Sequence, residues 1–467
     1  MTRTKVGVVS LGCSKNLVDT EVMLGHLDAA GCETVLTPDD ADVLVINTCG
    51  FIEAAREESI QAILEAARLK KAGKVRRVVV AGCMVQRYRE ELAKELAGDV
   101  DALLGLDELQ GIVEAVGLSA APRSDLPILG VTTVTPSKFL YSAETPRRRA
   151  TPPWTAFVKI AEGCDHTCSF CAIPAFRGTF RSRPIDDVVA EAAALSRAGA
   201  REINLIAQDS SHYGRDRGAG PELPDLLRRL DAVPELRWIR VHYLYPNTVT
   251  DRLVEAMATL PHVAPYVDIP LQHAHPDTLK RMRRGGSSDS HLELLARFRA
   301  AMPAAALRST FIVGFPGETE AEFEALLAFV AAARFDHLGV FTYSHETSTS
   351  AYALADDVPA EVKEERRARL MALQQSIAFE VLARRIGATA EVLVEGAHPD
   401  TDDLLVGRLA TQAPDVDGQV IINDGFVVDA DAGDIRLAAH ARPGAFARVL
   451  LTETAGYDLV GRIVGAA

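Results

Sequence analysis

The sequence predicts an α/β protein in three parts: an N-terminal parallel α/β domain over 1–118, a central partial (β/α)6 barrel over 154–377, and a small all-β barrel over 378–467, with 119–153 as a linker. Three observations carry this. Short β-branched apolar runs alternate with amphipathic stretches through the first two parts, the pattern of successive βαβ units. Between those parts Pro122, Pro127, Pro136, Pro146, Pro152 and Pro153 break the periodicity. After a long helical pattern over Glu361–Arg385 the period changes to that of strands and turns.

In the first part Val6–Leu11, Asp42–Ile46 and Arg77–Ala81 are continuous, short and β-branched, as buried parallel strands are. Glu53–Lys70 and Arg87–Leu96 carry the helical period between them. The linker is expected to wrap the surface, with Arg147–Arg149 as a solvated turn. The central strands are Ala156–Ile160, Glu202–Ala207, Trp238–His242, Tyr266–Ile269, Leu307–Val313 and His337–Thr342, with helices such as Ile185–Ala198 and Glu318–Ala333 between them. Six such units suit a partial barrel, since a closed eightfold one needs about 250 residues. The last part shows strands at Ala390–Glu395, Asp403–Thr411, Gly418–Asn423 and Ala445–Thr452.

Composition narrows the class. Hydrophobic residues make up 48% of the 467, enough for full cores. No apolar run approaches the ~20 residues that span a bilayer, and the first residues lack a signal-like segment, so a soluble, cytoplasmic chain with no membrane partner is expected. Seven cysteines, an odd number in a long chain, favour metal or catalytic use over a disulfide framework. The net charge is −14, and residues 378–467 hold 7 Arg, no Lys and 14 Asp or Glu, a net of −7. Nucleic acid is therefore an improbable direct substrate, because phosphate contacts need Lys and Arg.

The strongest local signal is Cys164-Asp165-His166-Thr167-Cys168-Ser169-Phe170-Cys171, directly after a predicted strand. Three thiolates at CxxxCxxC spacing hold three irons of a [4Fe–4S] cube and leave the fourth open. An open iron chelates the amino and carboxylate groups of S-adenosyl-L-methionine, from which one electron generates a 5′-deoxyadenosyl radical. The alternative is a zinc site completed by His166, although structural zinc normally draws on two separated ligand pairs. The motif, including the aromatic Phe170, resembles the radical S-adenosylmethionine superfamily, in which that aromatic residue lies near the adenine.

A second constellation is spread along the first part. Cys13, Cys49 and Cys83 each stand one to three residues past the end of a predicted parallel strand, and those ends share one sheet edge. The neighbouring Gly12, Gly50 and Gly82 let the backbone approach a bulky inorganic group. One such cysteine alone would be a core residue; three at equivalent strand ends point to a second cluster. Cys32 lies in a helix-to-strand turn and is expected only to pack.

With both triads placed, the chain resembles the methylthiotransferases. The residues that carry the resemblance are SLGCSKN at Ser10–Asn16, NTCGF at Asn47–Phe51, AGCMVQRY at Ala81–Tyr88, EGCDHTCSFC at Glu162–Cys171, IPLQH at Ile269–His273 and IVGFPGET at Ile312–Thr319. The terminal barrel resembles the TRAM domain that closes those enzymes. SLGCSKNLVD, NTCGFI and IPLQHA look like the branch understood to methylthiolate the β-carbon of an aspartate in small-subunit ribosomal protein S-twelve, rather than the transfer-RNA adenosine branches. That resemblance implies a radical enzyme with two [4Fe–4S] clusters and S-adenosyl-L-methionine as both radical source and methyl donor. Its partners are then the ribosomal protein, free or on the ribosome, an electron donor and a sulfur donor. No catalytic residue is assigned beyond the cluster ligands.

For the cofactor, Gly314, Gly317 and Glu318 follow a strand and open a helix; spacing alone fits a helix cap equally well, and the resemblance favours cofactor binding. Gln208 ends another strand and is expected at the cofactor amino group, or else at a helix start. Met282–Arg284 is expected to be a solvated basic turn. The loop His345–Ser350 departs from relatives, which usually carry a glycine or alanine there. A reading of a different class is an RNA-binding or electron-transfer protein with structural or redox clusters.

Overall fold

The computed structural model describes residues 3–118, 136–218, 220–425, 427–429 and 436–467. Of the linker, residues 119–135 with Pro122 and Pro127 lie outside them.

The N-terminal sheet holds β1 (Lys5–Ser10), β2 (Glu33–Val35), β3 (Val43–Thr48), β4 (Arg77–Gly82) and β5 (Ala102–Leu104) in the order β2-β1-β3-β4-β5, every pair parallel. The β-branched run of β3 is buried throughout, as the centre of a doubly covered sheet requires. The edges β2 and β5 are three residues each, too short to declare a period. The crossovers are α1 (Ser14–Ala29), α2 (Glu53–Lys71) and α3 (Cys83–Glu95).

Helix α1 is the hinge of the architecture because it is buried on both sides. Met23 and Leu27 pack with Val6 and Val43 of the sheet, while Val18 and Val22 pack with Phe157 and Ile206 of the central barrel. A helix clasped this way shows no amphipathic stripe. Its carboxylates Asp19 and Glu21 are buried and meet cations of the barrel: Asp19 meets Lys159 and Arg177, and Glu21 meets Arg147. This corrects the expectation for Arg147–Arg149. Arg147 is no solvated turn residue; its guanidinium donates to Glu21 and to Glu191, closing the seam beside α1. Arg148 and Arg149 are exposed or half-exposed.

The central domain sets six parallel strands in two three-stranded sheets. β6 (Thr155–Lys159), β7 (Glu202–Ile206) and β8 (Trp238–Val241) form one, and β9 (Tyr266–Asp268), β10 (Ala306–Val313) and β11 (His337–Thr342) the other. A parallel bridge between Ile239 and Val263 joins them into a curved half-barrel. The long helix α4 (Ala360–Ala383) crosses position 377, where the sequence suggests a boundary, and leads into the last domain.

That domain is a closed barrel of β12 (Thr389–His398), β13 (Thr401–Leu409), β14 (Val420–Asp424), β15 (Phe446–Ala455) and β16 (Asp458–Ala466), ordered β12-β13-β14-β16-β15. The sequence reading missed β16, where Gly461 and Gly465 interrupt the apolar alternation. Gly461 is required there, since a Cβ would fall 2.6 Å from the Leu450 carbonyl. The barrel locks under the central domain through Arg408, which donates to the buried Glu202, itself shared with Arg240. Among the described residues no helix is long and apolar enough to cross a membrane.

Candidate active site

Cys13, Cys49 and Cys83 follow β1, β3 and β4, three adjacent strands of the sheet. Cys13 caps the start of α1 and Cys83 opens α3, so both sulfurs stand at helix N-termini. Close approach is possible because of two glycines with positive φ. A Cβ on Gly12 would fall 3.1 Å from the Cys49 sulfur, and one on Gly82 would fall 2.2 Å from Asn47 Oδ1. Cys32 is buried against Met23 and Leu27, away from the triad.

The central triad sits in the loop after β6. Gly163 has φ of 79° and a Cβ there would lie 2.1 Å from the Thr179 carbonyl, which lets the loop fold tightly on itself. Cys164 N–H donates to the Gly178 carbonyl, and Ser169 N–H to Met282. His166 turns away from the sulfurs: Nε2 is 2.7 Å from Asp209 Oδ2, and the ring stacks on Tyr245 at 3.7 Å. It is thus engaged elsewhere than as a fourth ligand. A single tetrahedral zinc would draw its sulfurs to about 3.8 Å apart. Among the described residues the ligand groups that crowd within 4.8 Å are His166–Asp209–His212 and His275–Asp277–Glu322, and neither cysteine triad is among them. The wider spread of the thiols suits an iron–sulfur cube.

The segment that follows the central triad reaches the N-terminal triad across the α1 seam. A short helix, Ile173–Arg177, begins two residues after Cys171 and ends in Arg177, whose guanidinium lies 3.0 Å from the Cys83 sulfur. Arg177 also donates to Asn16, Asp19 and Glu162, and Cys83 packs against Ala172 and Phe176 of the same segment. Burial pushes the thiols of Cys83, Cys164 and Cys171 up to about 12. Cys13 differs: burial works against its thiolate, but Lys15, Arg177 and two backbone N–H groups outweigh it and lower the pKa. Metal binding would displace the protons of the others.

Around the central triad, the structure places the expected cofactor residues as follows. Gln208 donates to Glu162 at 2.7 Å, and its Oε1 is buried without a partner among the described residues, as an acceptor awaiting an ammonium group would be. Phe170 packs in the cluster of Met282, Phe315 and Tyr343. The N–H of Gly314 donates to Glu318 and that of Gly317 to Asp357, so in this structure both are satisfied within the chain. Burial raises Glu318 to about 7 although Arg366 and two N–H groups favour its charged form.

The basic turn at Met282–Arg284 also needs correction. Met282 and Arg284 are buried, and Arg284 points at the triad, with Nη1 3.5 Å from the Cys168 sulfur, Nη2 donating to Pro270, and the guanidinium over Tyr245. Nothing local in the sequence separates it from the exposed Arg283. The unusual loop His345–Ser350 docks the two domains: Glu346 pairs with Arg56 and Arg87 of α2 and α3, and Arg87 reaches Ser348.

A three-cysteine loop at the mouth of a parallel half-barrel defines a radical S-adenosylmethionine fold, here with a second triad delivered by a separate sheet. Comparison with known proteins agrees part by part. Family models match the Radical SAM superfamily over 158–330, the uncharacterized protein family UPF0004 over 5–105 and the TRAM domain over 386–464. Among solved structures, the radical S-adenosylmethionine methyltransferase TsrM from Kitasatospora setae, with cobalamin and a [4Fe-4S] cluster bound, shares the fold at a TM-score of 0.55. It is 14% identical over 83% of this chain and 76% of that one. Curated relatives named ribosomal protein uS12 methylthiotransferase RimO are much nearer in sequence. That of Solibacter usitatus is 47% identical over 98% of this chain and 95% of its own length. That of Anaeromyxobacter sp. (strain K) is 49% identical over 99% and 93%, and that of Geobacter sulfurreducens 44% over 99% and 99%. The chain belongs to the RimO family of radical S-adenosylmethionine methylthiotransferases.

Proposed function

We propose that this chain adds a methylthio group to the β-carbon of an aspartate in ribosomal protein uS12, in the cytoplasm, with one [4Fe–4S] cluster on each triad. What carries the reading is the meeting of two triads at one seam, with Arg177 touching Cys83 from the helix that follows Cys171. When bound, the central cluster and S-adenosyl-L-methionine supply a carbon-centred radical, which an inert C–H bond requires because no general base reaches such a proton at neutral pH.

The chain's own residues then have these tasks. Cys164, Cys168 and Cys171 hold the central cluster, with the Arg284 guanidinium beside Cys168 to offset thiolate charge. Gln208 Oε1 would accept from the cofactor ammonium, and Phe170, packed against Met282, Phe315 and Tyr343, would lie beside the bound adenine. Cys13, Cys49 and Cys83 hold the sulfur-bearing cluster. The exposed acids Asp400, Asp402 and Asp403 on the last barrel favour a basic ribosomal protein over transfer RNA.

Mass spectrometry of uS12 from cells with and without this protein is the direct test, and methylthiolation found on transfer RNA instead defeats the reading. In vitro, the reduced protein should cleave S-adenosyl-L-methionine to 5′-deoxyadenosine. With Cys13, Cys49 and Cys83 changed to Ala it should still do so but leave uS12 unmodified.

A further inference from the structure

The seam between the triads is rich in buried charge, and nearly all of it is matched. Lys159 pairs with Asp19 and Glu162, Arg177 with the same two carboxylates, and Arg147 with Glu21 and Glu191. Lys15 is the exception. It stands two residues after Cys13 and is only 8% exposed. Its ammonium donates to the Ala207 carbonyl at 3.2 Å and lies over the Tyr243 ring at 3.5 Å, and among the described residues it forms no ion pair. Of three donors, one has an acceptor. Its anionic neighbour is the Cys13 thiolate that it favours; no carboxylate among the described residues neutralises it, and a desolvated cation in that position suits one.

The surroundings say where that anion comes from. Ala207 immediately follows β7 and Tyr243 stands two residues past β8, so the ammonium sits at the mouth of the half-barrel. Tyr243 is held in the left-handed region, φ 60°, its N–H donating to Asp268. It and Cys13 both line a cavity of about 390 Å³ that extends past His242 to Arg308 and to Pro414–Val416 of the last barrel. Arg308, the cation that lines that cavity, is already paired with Asp268. A side chain entering this cavity beside Cys13 therefore meets the Tyr243 ring and, against that ring, the Lys15 ammonium, which has no carboxylate partner among the described residues.

We propose that Lys15 is the carboxylate-binding residue of the substrate site: its ammonium takes the side-chain carboxylate of the substrate aspartate and holds the adjacent carbon beside the N-terminal triad. The assignment rests on the function proposed above, in which the carbon that receives sulfur is bonded to that carboxylate. A neutral adenine would leave the ammonium unmatched, so the same residue selects a protein carboxylate against a nucleobase.

The experiment uses the full-length, reconstituted enzyme without reductant. Binding of purified uS12 is compared with that of uS12 whose target aspartate is Asn, for the parent, Lys15→Met and Lys15→Arg. Losing one partner of a buried charge pair should weaken binding of the aspartate form by about a hundredfold in Lys15→Met. The asparagine form should bind parent and Lys15→Met alike, and Lys15→Arg should recover part of the preference. Iron content and the electron paramagnetic resonance of the reduced N-terminal cluster should not change. Equal weakening of both forms, or an altered cluster signal with the aspartate preference intact, would show that Lys15 serves the cluster or the fold and overturns the assignment. A parent that neither binds nor modifies uS12 overturns the proposed function and this assignment together.

Discussion

The guanidinium of Arg177 lies 3.0 Å from the sulfur of Cys83, although the two are 94 residues apart and belong to different domains. One side chain thereby touches a thiol of the N-terminal triad while its own helix grows out of the central triad. Asn16, Asp19 and Glu162 complete its partners, and all are buried. Replacing Arg177 by Met removes one member of that network and leaves carboxylates underpaired, which costs about 3–5 kcal/mol. Chemical denaturation of the apo protein should show that loss. The reconstituted variant should also surrender its N-terminal iron faster to a chelator. A stability within about 0.5 kcal/mol of the parent would place Arg177 among ordinary surface residues.

Iron content tests the pairing of triads with clusters. Two [4Fe–4S] clusters amount to about eight irons per chain after anaerobic reconstitution. Replacing Cys164, Cys168 and Cys171 by Ala should remove about half, and so should replacing Cys13, Cys49 and Cys83. Either triple variant retaining its full complement contradicts the two-site arrangement. Cys32→Ala should lose none, since its sulfur is packed in the core.

What the sequence discloses is what local pattern can encode. β1, β3 and β4 of the first sheet and the strands of the half-barrel stand where β-branched runs place them, and Cys13, Cys49 and Cys83 stand at strand ends because those runs end just before them. Lys15, Arg147, Arg177 and Arg284 carry no such mark. Each gets its role from a partner distant in sequence: Ala207, Glu21 and Cys83 across a seam for the first three, and Cys168 within the central domain for Arg284. A basic residue with a distant buried partner has the same local sequence as one in a solvated turn, which is why Arg147 and Arg284 were read as solvent-facing. The strand Asp458–Ala466 was hidden for a different reason. Gly461 serves close backbone approach in a small closed barrel and, with Gly465, erases the alternation that would announce it.

Acid should loosen the last barrel from the central domain. Burial alone would raise the Glu202 pKa, but the Arg408 and Arg240 guanidiniums hold it down to about 2. A carboxyl with a depressed folded pKa stabilises the fold fully above its ordinary value of ~4.5 and loses that contribution as pH falls towards 2. The shift corresponds to about 3 kcal/mol. Denaturant midpoints should therefore drop across that window, and Glu202→Gln should be less stable at neutral pH with a flatter profile below ~4.5. An unchanged slope in the variant would move the acid sensitivity to other carboxylates.

Charge on the last barrel bears on the substrate. Asp400, Asp402, Asp403 and Asp415 are exposed, whereas Asp417 is not part of that face; its carboxylate is 1% exposed and accepts from Tyr266 and Ala413. Asp431 and Asp434, and the side chain of Asp429, lie outside the described residues. An acidic, lysine-free barrel repels a phosphate backbone and steers a basic protein towards the enzyme at low salt. Changing Asp400, Asp402 and Asp403 to Asn should slow association with uS12 by about threefold to tenfold at low ionic strength. The salt dependence should become shallower, because fewer charges are left to screen. The dissociation rate should change little, since these aspartates act on approach rather than in the cavity beside Cys13. An association rate that is unchanged, or that falls equally at high salt, would reduce the acidic face to a solubilising surface.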